Sequence, residues 1–370
     1  MVTLEKNNIN YTFKMLYILA IIMVVDGHIG RFNYLDLNGL LRYQNYHLSL
    51  FIFASGYFLN LTKTPLEYLK SKINRLILPL YIWNIIYGII CFILNKYYNF
   101  SLGGNFNLYN IFVAPLTDGH QFIYNMASWF LVPLFILQIL SFFILKPFEN
   151  SKSLNKISVI FFAITVLIYC LTIPLAHQNQ GERNFSLLFY RTTYFFPFFS
   201  FGLLYRKLLE KHDTLNSPLY FFIVLLAYTT LSILFPYHTH TPSWLNDIYV
   251  PPLVTLFITI LAILFWLRIA KILSPLVTQS KVLTTISNNT FDIMMHHFIG
   301  FMIIKGIISQ FFKDFDSSQF HNNIWYNYFP YNEILTSWIY LFITIVITLL
   351  IGFTTKLFCD TIKRNIKHLS

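Results

Sequence analysis

Ten mostly apolar stretches, each about 17–25 residues long, recur along this 370-residue chain, and a helix of that length crosses the roughly 30 Å of hydrocarbon in a bilayer. They lie at residues 12–30, 46–62, 76–95, 129–146, 157–176, 186–205, 217–236, 249–270, 289–310 and 335–357. Lipid offers no water to satisfy backbone amides, so segments of this kind must be helical. Composition agrees. Charged residues are 11% of the chain and hydrophobic ones 56%, whereas a soluble domain carries about 25% charged residues. The 40 Phe and 25 Tyr suit lipid-facing and interfacial positions and would make a soluble surface aggregate. The expected fold is therefore an all-α integral membrane protein, a single domain over 1–370 with about ten transmembrane helices and no soluble domain. The polar start MVTLEKNNINYTFK is not followed by a small-residue cleavage site, so the first apolar stretch reads as a retained helix.

Net charge is +11, but the basic residues sit in short connectors and form no stripe interleaved with aromatics, which argues against nucleic-acid binding. Counted by side with the N-terminus inside, 19 of the 26 Lys and Arg fall in inner segments, six in outer ones, and Arg191 within a helix. This bias places both termini in the cytoplasm and the chain in the cytoplasmic (inner) membrane. Cys91, Cys170 and Cys359 lie in or beside apolar stretches and indicate no disulfide framework. The long outer connectors 96–128 and 311–334 have the composition of interfacial or re-entrant pieces, and the patch IFVAPL at 111–116 is too short to span.

Ionisable side chains inside a membrane are costly and mark candidate functional positions. Four groups qualify: Asp26 and His28 at the outer end of the first helix; His47 opening the second; Arg191 early in the sixth; and Asp292, His296 and His297 in the ninth. Asp26 and His28 are two residues apart and point to opposite sides of an ideal helix, unless Gly27 breaks it. Taken singly, His47 and His296 also read as interfacial or hydrogen-bonded residues, and Arg191 as one snorkelling to the headgroups. At the inner face, Lys70, Lys72 and Arg75 precede the third helix. The positive-inside rule accounts for them, and so does a phosphate clamp, because three-residue spacing puts Lys72 and Arg75 on one helix face. The histidine spacing makes no zinc motif, and no metal is expected.

The stretches around Ala20, Val24, Gly27 and His28, together with HLSLFIFASGYF at 47–58, KINRLILPLY at 72–81, SWFLVPLFILQ at 128–138, YFFPFFSFGLLYRK at 194–207 and ISNNTFDIMMHH at 286–297, resemble the membrane acyltransferase 3 family. They do so in order and over nearly the whole chain. Among its members the chain most resembles the short sugar O-acetyltransferase branch related to fucose acetylases. The resemblance implies transfer of an acyl group, commonly acetyl from acetyl-CoA, to a hydroxyl of a polymeric or lipid-linked glycan. It implies a catalytic role for His28 and a place for Lys72 and Arg75 on the CoA side. Many members carry Arg eleven residues before the histidine. Here that position is Tyr17, with Lys14 nearly one turn deeper as the basic residue on that side. Physically, His28 would act as general base or carry the acyl group, and Arg191 or His297 would stabilise the oxyanion. The alternative from another class is a transporter or flippase of lipid-linked sugars, for which ten helices without internal repeats give no sign. A polymerase of surface polysaccharide would want more outer arginines than Arg31, Arg42 and Arg183.

The charge bias makes a direct expectation. Reporter fusions at the C-terminal end should read as cytoplasmic and fusions within 96–128 as external. An outward C-terminus would overturn the topology.

Overall fold

The computed structural model describes residues 9–30, 34–37, 39–178 and 182–369, with side chains to residue 361. Lys6, Arg31 and the side chains of Lys363, Arg364 and Lys367, all part of the charge count, lie outside the described residues. The described chain is helical and has no strand. The ten long or core helices fall on the ten apolar stretches: α1 Tyr11–Gly27, α2 His47–Tyr57, α3 Pro65–Tyr97, α4 Ile123–Phe148, α5 Leu154–Gln178, α6 Phe185–Leu204, α7 Ser217–Leu234, α8 Pro252–Gln279, α9 Thr290–Ile308 and α10 Glu333–Leu369. Seven of them, α3, α4, α5, α7, α8, α9 and α10, are long and apolar enough to cross a membrane.

The other three are interior helices. From Arg191 to Leu204 every residue of α6 is buried, packed against α5, α2 and α4. Because protein surrounds α6 here, its Arg, Thr and Tyr side chains need not be replaced by apolar ones. Helix α1 packs against α8, α2 and α9. Helix α2 corrects the expected span at 46–62: it has only 11 helical residues, about 16 Å of rise, too little to cross the hydrocarbon unaided. The connector before it supplies the missing depth. Leu41, Tyr43, Asn45 and Tyr46 of that connector are all buried, so irregular backbone descends into the bundle, where protein and not lipid surrounds it. Asn45 is held there by the backbone amide of His240, which donates to its Oδ1 at 3.0 Å, and by the Tyr194 hydroxyl, which donates to its carbonyl at 3.0 Å.

Helix α3 starts eleven residues ahead of the apolar stretch, because Thr64 and Glu67 form a reciprocal capping box with Pro65 in the first turn. Its first eight residues are followed by a π-helical turn at Ile73–Ile77 before the apolar run begins. The connector 96–128 stays short of a crossing. It contains a π turn at Tyr109–Val113 and a single helical turn at Ala114–Thr117.

Helices α2 and α6 touch backbone to backbone. A Cβ added at Gly56 would lie 1.8 Å from the Phe199 carbonyl oxygen, and one at Gly202 would lie 2.0 Å from that of Phe53. Close approach through small residues is how membrane helices gain packing energy where lipid is as apolar as Leu. Gly56→Ala and Gly202→Ala are each expected to force these helices apart at a cost of about 1–3 kcal/mol or more. Thermal denaturation in detergent should show both variants melting well below the parent, and Gly306→Ala, with open space around it, melting close to the parent.

Candidate active site

The His28 end of the bundle holds a recessed cavity of about 940 Å³, whose wall includes His28, His47 and His120 together with Trp244 and Trp325. His28 is the residue that ends α1. Its Nδ1 lies 2.6 Å from the Val24 carbonyl oxygen. A carbonyl can only accept, so Nδ1 carries a proton, and in the neutral imidazole Nε2 keeps its lone pair. His47 repeats the arrangement at the start of α2, with Nδ1 2.7 Å from the Tyr43 carbonyl. The His28 ring is wedged between neighbours: His297 at 4.9 Å, Phe298 at 4.8 Å and Trp325 stacked at 5.7 Å. Trp325 belongs to the connector 311–334, which is tied down at two points. Lys305 donates to the Ile324 carbonyl at 3.0 Å, and Asn327 to that of Ile29 at 2.9 Å. Asp26 and His28 make no dyad. The helix runs through Gly27, and the Asp26 carboxylate accepts from the Tyr43 hydroxyl at 3.0 Å.

The third cavity histidine, His120, does not stand out in the sequence, because it lies in a polar connector where an ionisable group is ordinary. One signal was present: the tripeptide Asp-Gly-His occurs twice, at 26–28 and at 118–120. The two copies fold differently. Gly119 has φ +73°, and a Cβ there would meet Trp129 Cβ at 2.4 Å, so only glycine fits. The turn brings His120 Nδ1 back to Asp118, 3.2 Å from its Oδ1 and 2.9 Å from its carbonyl oxygen. Arg183 donates to the other carboxylate oxygen at 3.2 Å. Burial pushes the Asp118 carboxyl up, but His120, Arg183 and Arg191 outweigh it and hold it below its ordinary value. For His120 burial dominates and lowers the pKa, against the raising effect of Asp118, so the ring is neutral near pH 7.

Arg191 is not on the cavity wall. It is 2% exposed, donates through Nε to the Ser243 carbonyl at 2.8 Å and through a terminal nitrogen to the Asp118 carbonyl at 2.9 Å, and lies over the Trp129 ring at 4.7 Å. It joins the Asp118 turn to the 241–244 connector. His297 is fully buried behind His28, with Nδ1 on the Met294 carbonyl at 2.7 Å. His296 lies deeper, bonded to the Tyr87 hydroxyl at 2.7 Å and packed edge-on against Trp83 at 4.2 Å. Asp292 is ion-paired with Lys356 at 2.9 Å.

The remaining candidates are at the other end of α1. Eleven residues separate Tyr17 from His28 in the sequence, about 16 Å of helix rise. Tyr17 stacks on Phe51 at 5.8 Å and Lys14 lies over Tyr11 at 6.0 Å. Basic side chains at this end find partners within the chain. Lys146 donates to the Leu61 carbonyl at 2.6 Å and pairs with Glu149, Arg206 donates to the Tyr57 carbonyl at 3.1 Å, and Arg268 donates to the Leu215 carbonyl at 2.8 Å and pairs with Asp213. Lys72 and Arg75 do not. Lys72 lies over the Tyr68 ring at 4.9 Å, Arg75 is exposed on the π turn, and among the described residues neither forms an ion pair.

Apolar helices around a recessed chamber whose wall carries three imidazoles define a multi-pass membrane protein. The chain belongs to the acyltransferase 3 family: an acyltransferase domain matches it over residues 11–355, which makes the protein a membrane acyltransferase. No curated protein and no solved structure matches the chain.

Proposed function

We propose that the protein is an O-acyltransferase of the cytoplasmic membrane. It would move an acyl group, most simply acetyl, from cytoplasmic acyl-CoA to a hydroxyl of an extracytoplasmic or lipid-linked glycan. The observation that carries this reading is His28. Its tautomer is fixed by the Val24 carbonyl, its ring is wedged by His297, Phe298 and Trp325, and it lines a cavity large enough for a sugar. His28 Nε2 takes the proton of the acceptor hydroxyl as the oxygen attacks the thioester carbonyl carbon, the carbon–sulfur bond breaks, and the imidazolium returns the proton to the departing thiolate. The donor's phosphates stay in water at the far end of α1. Lys72 and Arg75 are suited to hold them, being cations without a carboxylate partner among the described residues, and Arg75 lies on a π turn, a distortion often found at functional sites. Lys14 and Tyr17 flank the path that the acyl arm would follow along α1.

His28→Ala is expected to reduce acyl transfer to the glycan about 10²–10⁴-fold while leaving insertion and melting unchanged. Mass analysis of surface glycans from cells carrying the parent or the variant is the direct assay, and a parent-only gain of one acyl unit also identifies the donor. Near-normal acylation by His28→Ala would remove His28 from the chemistry.

The donor end makes a separate expectation. Lys72→Gln combined with Arg75→Gln should leave orientation intact, because most inner basic residues remain. Each lost charge-assisted hydrogen bond removes roughly 1.5–3 kcal/mol, so the Michaelis constant for acyl-CoA should rise at least tenfold with little change for the glycan. An acyl-pantetheine donor, which lacks the phosphates being held, should barely distinguish the variant from the parent.

A further inference from the structure

The cavity wall presents more than one neutral imidazole, yet one acyl transfer to one hydroxyl releases one proton, which His28 takes and returns. A second lone-pair nitrogen on the same wall has no proton to remove. It remains a hydrogen-bond acceptor, and a sugar carries further hydroxyls that need acceptors.

The protein invests many groups in placing the His120 ring. Trp244 stacks on it at 4.7 Å and 17°, and Trp129 lies nearly parallel to it at 6.4 Å and 22°. Arg183 lies over Trp244 at 4.9 Å, and Arg191 lies against both indoles, 4.7 Å from Trp129 and 5.9 Å from Trp244. With the ring stacked on Trp244 and Nδ1 turned to Asp118, the edge of His120 left over is the one that bears Nε2, which has no protein hydrogen-bond partner among the described residues. His47 shares the tautomer but has no comparable frame. Arg191 thereby serves the cavity at one remove, by fixing the turn and the indoles beside this ring, while Arg183, on the wall itself, holds the Asp118 carboxylate.

We propose that His120, oriented by Asp118, is an acceptor-positioning residue: its Nε2 accepts a hydrogen bond from a second hydroxyl of the glycan while His28 acts on the reacting one, so the site selects a polyol over a lone alcohol. This rests on the acyltransferase reading above and assigns the acceptor side of the same cavity. A site built around a hydrogen-bond acceptor discriminates against ligands that lack the matching hydroxyl, and the unused imidazole then loses its partner.

The experiment uses membranes containing the full chain and radiolabelled acetyl-CoA. Two products are followed: label in the membranes' own glycan, and acetate released when water is the acceptor. His120→Ala should raise the apparent Michaelis constant for the glycan about ten- to hundredfold, with a much smaller change in the rate at saturating glycan and in acetate release. His120→Gln, whose amide oxygen still accepts, should recover part of the loss. Asp118→Asn should show the same pattern, weakened. Unchanged glycan transfer in His120→Ala overturns the proposal, and so does an equal fall of transfer and acetate release, which would make the ring structural or part of the chemical step. If His120→Ala does not fold, His120→Gln and Asp118→Asn carry the same test. His28→Ala runs alongside: loss of both products there with an unaffected His120 variant defeats only this proposal, whereas survival of both defeats the acyltransferase role of His28.

Discussion

Backbone carbonyls, and not carboxylates, satisfy most of the cationic and imidazole side chains that this protein buries. Val24, Tyr43 and Met294 accept from His28, His47 and His297; Ser243 and Asp118 from Arg191; and Ile324 from Lys305, while Arg268 takes both the Leu215 carbonyl and the Asp213 carboxylate. A carbonyl dipole fulfils a donor without bringing a second ion out of water, and desolvating an ion pair often costs more than the pair returns. The choice also sets chemistry. A carbonyl on Nδ1 orients an imidazole and leaves its lone pair facing outward, whereas a carboxylate would also favour the protonated form. His120 is the cavity histidine given a carboxylate, and burial offsets it.

Apart from Met294, inside α9, these carbonyl partners are offered by helix ends and connectors, where carbonyls are not all bonded within a helix. This is why the site forms where α1 ends and where the connector before α2 descends. The same descent shortens α2 and recesses the cavity. Buried Tyr43 is the hinge between the two features: its ring lies 3.1 Å from where a Gly27 side chain would begin, its hydroxyl donates to Asp26, and its carbonyl holds His47. One connector residue thus links both helix ends that carry histidines.

The sequence makes the lipid-facing helices legible, because lipid demands unbroken hydrophobicity and gives way only at their ends. It overextends α2, since apolar residues packed against protein in an irregular connector look the same as those packed against lipid. His28 and His47 stand out as ionisable groups at the ends of apolar stretches. His120 does not, because a polar residue in a polar connector carries no contrast, and its importance comes from Trp129, Trp244 and Arg191, which only folding brings together. Arg191 is legible as a residue that needs a reason, but its partners lie 73 and 52 residues away in the chain, so the reason is not. The tail of α3 reads clearly for its apolar half, while the capping box at Thr64 and Glu67 moves its start outward past Lys72 and Arg75.

The packing below the cavity bears on what can pass through the protein. A translocator of whole lipid-linked sugars needs a polar route between two faces and elements that can part. Below His28 the contact between α1, α2 and α6 is instead aromatic and close: Phe13 meets Tyr57 at 4.1 Å and Phe53 at 6.1 Å, Phe53 meets Phe201 at 5.5 Å, and glycines hold the α2 and α6 backbones together. Parting α2 from α6 would break that contact along most of the length of α2. An acyl group on a slender arm asks far less, a narrow path beside α1 from Tyr17 to His28. The dense core and the recessed cavity are thus compatible with a reaction in which the sugar and the phosphates never leave their own sides and only a two-carbon fragment, or one of similar girth, goes between.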